Sequence, residues 1–240
     1  MTLTWEELGW ERLADGVGRC RLPGWDCTAG LVVGPESVLM VDAGSSLAEG
    51  VRLRARAREL TGRDVTHLAL THAHFDHVLG AAAFGDAEVF GAAGLDGALD
   101  RGRAALRADA VANGLDPRAA DEAVAALVRP GHPVTGERAL PLGGGRRVVL
   151  ADVGPGHTAH DLAVLVPGSP AVVFCGDLVE ESGEPQAGPD AVPARWPAAL
   201  DRLLALGGAD ALYVPGHGAV VDAGFVRAQR DALAARSGVS

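Results

Sequence analysis

Seven consecutive residues, Thr71-His72-Ala73-His74-Phe75-Asp76-His77, put four metal-grade side chains within six positions. They follow directly on residues 65–70, an apolar run that reads as a buried strand. In extended chain, residues two apart point the same way, so His72 and His74 can converge on one ion. Asp76 and His77 lie past the strand end, where the chain turns, and can face a second ion nearby. Imidazole nitrogen and carboxylate oxygen are ligands that zinc accepts. A lone histidine is more often a satisfied polar residue than a ligand; three histidines and an aspartate at this spacing reverse that expectation.

Three further segments have the same character. Gly156-His157-Thr158, Gly176-Asp177-Leu178 and Pro215-Gly216-His217-Gly218 each read as following a strand. Glycine beside each one lets the backbone turn sharply and approach closely. Ligands at strand ends are held by a rigid scaffold, as a metal pair requires. His67 and His132, before a buried strand and in a Gly-His-Pro turn, read as non-ligands. His160, three residues after His157, is a candidate for touching substrate or a ligand. Asp42 reads as a residue that orients ligand loops by hydrogen bonds. Tyr213, the only tyrosine, reads as core.

The first 45 residues read as strands and turns, with a hairpin formed by residues 31–33, a 34–37 turn and residues 38–41. A helix is expected from Ser45 to Leu60, with Gly62 just past its end. Its Arg52, Arg54, Arg56 and Arg58 read as a solvated face. A helix follows around 78–84, then two polar-faced helices over 92–128, broken near 114–117, that cover or border the site mouth. Strands return at 148–153, 162–166 and 171–174, then a helix over 194–206, a strand at 211–214 and a closing helix from Phe225. Two runs of strands bordered by helices imply two packed sheets with helices outside. The expectation is one domain over residues 1–240 with a helical insertion near 92–128.

The 240 residues, 48% apolar, suffice for a well-buried core. No apolar run is long enough to span a bilayer. The N-terminus carries Glu6 and Glu7 and lacks a basic start followed by an apolar stretch, so a cytoplasmic location and no membrane partner are expected. Cys20, Cys27 and Cys175 lack metal-type pairing and read as reduced thiols. The net charge of −10 argues against broad nucleic-acid binding. All 21 basic residues are arginine, which has the look of a coding bias.

From Asp42 in Val41-Asp42-Ala43-Gly44 to His217, the motifs resemble the metallo-β-lactamase superfamily, whose fold is an αββα sandwich of two mixed β-sheets flanked by helices. The resemblance implies that His72, His74 and His157 hold one metal, that Asp76, His77 and His217 hold the other, and that Asp177 bridges them. It implies two zinc ions, with iron or manganese as alternatives, and a shared hydroxide as nucleophile, with Asp76 as the candidate catalytic proton carrier. All three histidines of the first motif stand, which favours hydrolysis over the di-iron relatives. The short acidic chain lacks the arms of nucleic-acid-processing relatives. Only residues 218–240 follow His217, too few for the helical extension of hydroxyacylglutathione hydrolases. One β-lactamase subclass has cysteine where Asp177 stands and lysine where Glu180 stands, so Glu180 becomes a candidate for facing substrate and excluding penicillin-like carboxylates. The expected function is a binuclear zinc hydrolase of a small ester, thioester, lactone or amide. The alternatives are a mononuclear-iron persulfide dioxygenase, a true β-lactamase, and a metal-binding module without turnover.

Overall fold

The computed structural model describes residues 3–237. A seven-stranded sheet is built in chain order from β1 (Glu11–Ala14), β2 (Val17–Arg21), β3 (Thr28–Val33), β4 (Val38–Val41), β5 (His67–Ala69), β6 (Glu88–Ala92) and β7 (His132–Val134). Strands β1 to β4 pair antiparallel and β4 to β7 parallel. The second sheet has five strands: β8 (Glu137–Gly143), β9 (Arg146–Asp152), β10 (Leu162–Val166), β11 (Val172–Glu180) and β12 (Leu212–His217). Only the β11–β12 pair is parallel.

Three apolar clusters make four layers. Val32, Leu39 and Phe90 of one sheet meet Leu150, Val164 and Phe174 of the other in the middle. Outside the first sheet, Leu31, Met40 and Leu68 are covered by α1 (Leu47–Thr61), α3 (Leu95–Ala112) and α4 (Pro117–Ala125). Outside the second, Ala163, Val173 and Tyr213 pack under α5 (Trp196–Gly207) and α6 (Ala223–Ser237). This is the αββα sandwich that the sequence implied. Strands buried on both faces read as continuous apolar runs, which is why β4 and β10 are legible in the sequence.

Helix α1 starts where a capping box predicts: the Ser46 side chain accepts from Glu49 N, and Gly62 closes the helix in the left-handed region at φ 69. The 78–84 segment is a four-residue helix α2 (Phe75–Val78) followed by a 3₁₀ turn (Ala81–Phe84). Strands β6, β7 and β8 were not expected. Both β7 and β8 lie at sheet edges and carry Pro133 and Pro141, which an edge tolerates and a sequence pattern reads as a break. Among the described residues no helix is long and apolar enough to cross a membrane.

Helix α1 approaches the 3₁₀ turn so closely that a Cβ on Gly50 would stand 2.2 Å from the Gly80 carbonyl oxygen. A Cβ on Gly102, in α3, meets nothing within 4 Å. The same substitution should therefore have opposite signs at the two sites. Overpacking costs about 1–3 kcal/mol, against a helix-propensity gain of about 1 kcal/mol. Gly50→Ala is expected to lower Tm by several degrees and Gly102→Ala to raise it by roughly 2–4 °C, measured by thermal unfolding. Equal shifts would show that the α1 contact yields freely.

Candidate metal centre

The strand ends of both sheets meet at one rim. Chain leaving β4, β5 and β12 at their carboxyl ends brings Asp42, the 71–77 segment and His217 together, and the turn before β10 adds His157. Parallel strands collect their ligand-binding groups at this end. The sheets are also stitched here: Leu162 N donates to Thr71 O at 2.8 Å, and Cys27 bridges to His217. Asp177 corrects an expectation, since it lies inside β11 and not after it. The register of β11 on β12 slips around Gly176, at φ 54, and this bulge turns Asp177 to the rim. A Cβ on Gly216 would come 1.7 Å from Asp177 Oδ1, so only glycine fits opposite that carboxylate.

Five imidazoles form one cluster with two lobes, joined by His72 and His77, whose ring centroids are 4.3 Å apart. The ring centroids of His72, His74 and His157 lie 4.6–4.8 Å apart, and those of His77 and His217 lie 5.6 Å apart. His74 Nδ1 and His157 Nε2 approach to 3.0 Å. Asp177 Oδ2 stands 3.6 Å from His72 Nε2, 3.5 Å from His157 Nε2 and 3.3 Å from His217 Nε2. His217 Nε2 is 3.2 Å from Asp76 Oδ2, and His77 Nε2 is 3.6 Å from the same atom. The candidate ligand atoms of His72, His74, His157 and Asp177 lie within 4.8 Å of one another, as do those of His77, Asp177 and His217. Asp177 belongs to both of these sets; a third set, Cys27, Asp76 and His77, corrects the expectation that Cys27 has no metal-type partners.

The opposite nitrogen of four of these rings has its own oxygen partner. Asp42 Oδ2 lies 2.8 Å from His77 Nδ1, Thr71 Oγ1 2.9 Å from His72 Nδ1, Asp190 Oδ2 3.2 Å from His74 Nε2, and the Trp25 carbonyl 2.7 Å from His217 Nδ1. Asp42 also accepts from Thr71 N and Thr71 Oγ1, each at 2.8 Å. It does so at φ 59, a conformation costing a non-glycine residue on the order of 1 kcal/mol or more. The ring nitrogens that face inward are the ones left over. His72 Nε2 and Asp177 Oδ1 are buried with no hydrogen-bond partner, although His77 Nε2 is 3.1 Å from that oxygen without hydrogen-bond geometry. His157 Nδ1 is also without a partner, against the edge of the Trp196 ring.

The electrostatics suit a cation. Burial drives His72 well down and His157 down to about 4, so both are neutral, the form that binds metal. Against the penalty of burial, His77, His72 and His217 hold Asp177 well below the usual carboxylate range. Burial likewise opposes protonation of His217, but hydrogen bonds to Asp177 and Asp76 push it up to about 10. Neutral imidazoles at His72 and His157, ionised carboxylates and buried acceptors left unsatisfied form a donor set that suits an N/O-ligated divalent ion, which would displace the protons that neighbouring carboxylates favour on His74, His77 and His217.

The remaining candidates separate. Glu180, the last residue of β11, lines a cavity of about 440 Å³ beside the cluster and is buried. Burial, reinforced by Asp177, pushes its carboxyl up to about 7. His160 does not line that cavity; its ring lies over Gly94 at the start of α3. The acid that serves the His157 turn is Asp161, which accepts from Thr158 N and Thr158 Oγ1 at 2.9 and 2.7 Å. Sequence reasoning missed three neighbours. Cys27 Sγ donates to the Asp76 carbonyl at 3.2 Å and lies 3.7 Å from both His77 nitrogens. Asp190 reaches His74 from a loop without pattern, and Trp25 walls the cavity.

Comparison with known proteins agrees with this geometry. The sequence model of the Metallo-beta-lactamase superfamily matches residues 22–217. The Metallo-beta-lactamase domain-containing protein 1 of Xenopus laevis is 32% identical over 161 residues, 66% of this chain and 57% of that protein. The chain thus spans little more than half the length of that relative. The metallo-beta-lactamase FIM-1 from Pseudomonas aeruginosa, solved in a mono-zinc form, superposes with TM-score 0.72 at 19% identity, over 96% of either chain. The DIM-1 metallo-beta-lactamase gives 0.73 at 16% identity, over 95% of this chain and 97% of its own. At these identities the two structures establish the fold.

Carboxylates that hold a ligand imidazole by its far nitrogen set its tautomer, and losing one costs about 10–100-fold in metal affinity. Asp42→Asn, at a buried hub, is expected near the upper end and Asp190→Asn, half-exposed, near the lower. Competition against a chromogenic chelator measures both; wild-type affinity in Asp42→Asn would contradict the assignment.

Proposed function

The chain belongs to the metallo-β-lactamase superfamily, and from that premise we propose that it is a binuclear zinc hydrolase of a small ester, thioester, lactone or amide. The observation that carries this reading is the position of Asp177, whose carboxylate stands within 3.6 Å of imidazole nitrogens from both groups. His72, His74 and His157 would hold one ion and Asp76, His77 and His217 the other, with Asp177 common to both. When bound, the ions would lower the pKa of a shared water to about 7 and polarise the acyl oxygen.

The chain's own residues do the rest. Asp177 sets the separation of the two ligand groups. Asp42, Asp190 and the Trp25 carbonyl fix the imidazole tautomers before substrate arrives, so no reorganisation is needed during reaction. Asp76 lines the cavity as well as facing His217 and His77, which suits it to carry a proton from nucleophile to leaving group. Asn113, Gln186 and Ser182 offer amide and hydroxyl groups to a polar substrate. The domain is read as single, and the reduced thiols Cys20, Cys27 and Cys175 suit a reducing compartment such as the cytoplasm.

Turnover of p-nitrophenyl acetate or a simple lactone by zinc-loaded protein, abolished by chelation and restored by zinc, is the expected result. Asp177→Ala should lose one metal equivalent and reduce kcat/KM by about 10²-fold or more. Full turnover in the chelated protein, or an Asp177→Ala variant with unchanged metal content and rate, would refute the proposal.

A further inference from the structure

We propose that the cavity beside the metal centre accepts acyl substrates carrying a positive charge and rejects anionic ones; this rests on the hydrolase reading and specifies its substrate class. No arginine lines the cavity, and the chain has no lysine. Nearby arginines are committed elsewhere: Arg19 is buried between Glu11 and the Gly218 carbonyl, Arg21 pairs with Asp26, and Arg107 with Asp121. Beyond the candidate metal ligands, the ionisable residues of the wall are Glu180 and Asp109.

Glu180 is only 5% exposed yet faces the cavity. Its Oε1 accepts from Gln186 N at 3.3 Å, and its Oε2 has no donor among the described residues. That oxygen is free to accept from a group in the cavity, and charge-assisted donors serve a carboxylate best. Trp25 and Phe75 form the aromatic part of the wall, edge to face at 5.3 Å and 87°. Trp25 is fixed by its Nε1, which donates to the Asn113 carbonyl at 3.1 Å, and Asn113 Nδ2 in turn donates to Asp109 Oδ1 at 3.0 Å. A rigid indole beside carboxylates is a surface that recognises ammonium groups, through the ring face and through hydrogen bonds. Away from the metal ligands and any ions they hold, the same wall offers an anionic group no arginine or lysine and two like charges.

Three small thiols with the same two-carbon spacer test this on zinc-loaded protein without relying on turnover: cysteamine (cationic), 2-mercaptoethanol (neutral) and 3-mercaptopropionate (anionic). Calorimetric titration at pH 8.5, where carboxyl groups are ionised, gives the Kd of each. Cysteamine is expected to bind at least about tenfold more tightly than 3-mercaptopropionate, with the ratio shrinking as salt is raised. The isosteric Glu180→Gln should reduce that ratio at least threefold. Exposed Asp109→Asn should reduce it less and serves as the second variant. Each Kd is referred to the thiolate concentration at that pH, and in the comparison of wild type with variant any remaining difference between the thiols cancels. Equal or tighter binding of 3-mercaptopropionate, or a ratio unchanged in both variants, overturns the inference and leaves the hydrolase reading intact. No binding by any of the thiols overturns the hydrolase reading and this inference together.

Discussion

Two imidazole nitrogens, His74 Nδ1 and His157 Nε2, face each other at 3.0 Å at the wall of the cavity, and near them stand His72 Nε2 and Asp177 Oδ2. Lone pairs held this close in a medium of low dielectric repel unless a proton or a cation lies between them. A proton can serve one pair. Neighbouring carboxylates favour protons on His74, His77 and His217, but burial holds His72 and His157 neutral, and His72 Nε2 and Asp177 Oδ1 are left without a hydrogen-bond partner. A divalent cation would satisfy those inward-facing atoms, and its binding would then be part of the folding energetics of this rim as well as of its chemistry.

The sandwich exists in a form that delivers those groups. The candidate ligands come from four separate segments, residues 71–77, the turn before β10, β11 and the end of β12, so no single element could hold the site if the sheets slid against each other. The central apolar layer, with Phe90, Leu150 and Phe174 packed between the sheets, resists that sliding. The hydrogen bond from Leu162 N to Thr71 O and the Cys27–His217 bridge fasten the sheets at the rim itself. Asp42 is the buried hub at this rim: one carboxylate fixes the start of the 71–77 segment through Thr71 and its end through His77.

Much of this was legible in the sequence because the information is local. His72, His74, Asp76 and His77 lie within one turn of chain, and the glycines beside His157, Asp177 and His217 advertise close backbone approaches. The partners that complete the site are distant in sequence and have no signature of their own. Asp190 meets His74 across 116 positions, Cys27 meets His77 across 50, and Trp25 meets His217 across 192. Such pairs become visible only once the sheets are stacked. His160, a candidate by its closeness to His157 in sequence, has its ring over Gly94 at the start of α3, because the turn closes through Asp161. The edge strands β7 and β8 escaped notice because proline in a strand reads as a break wherever the edge is not known in advance.

Anomalous diffraction from crystals grown with zinc tests the central claim most directly, since it locates each ion without reference to any substrate. The account predicts two peaks about 3.5–4 Å apart, as in two-metal sites generally. One should be held by His72, His74 and His157 and the other by Asp76, His77 and His217, with the Asp177 carboxylate reaching both. A single peak at saturating zinc, or an Asp177 side chain turned away from the pair, would contradict it.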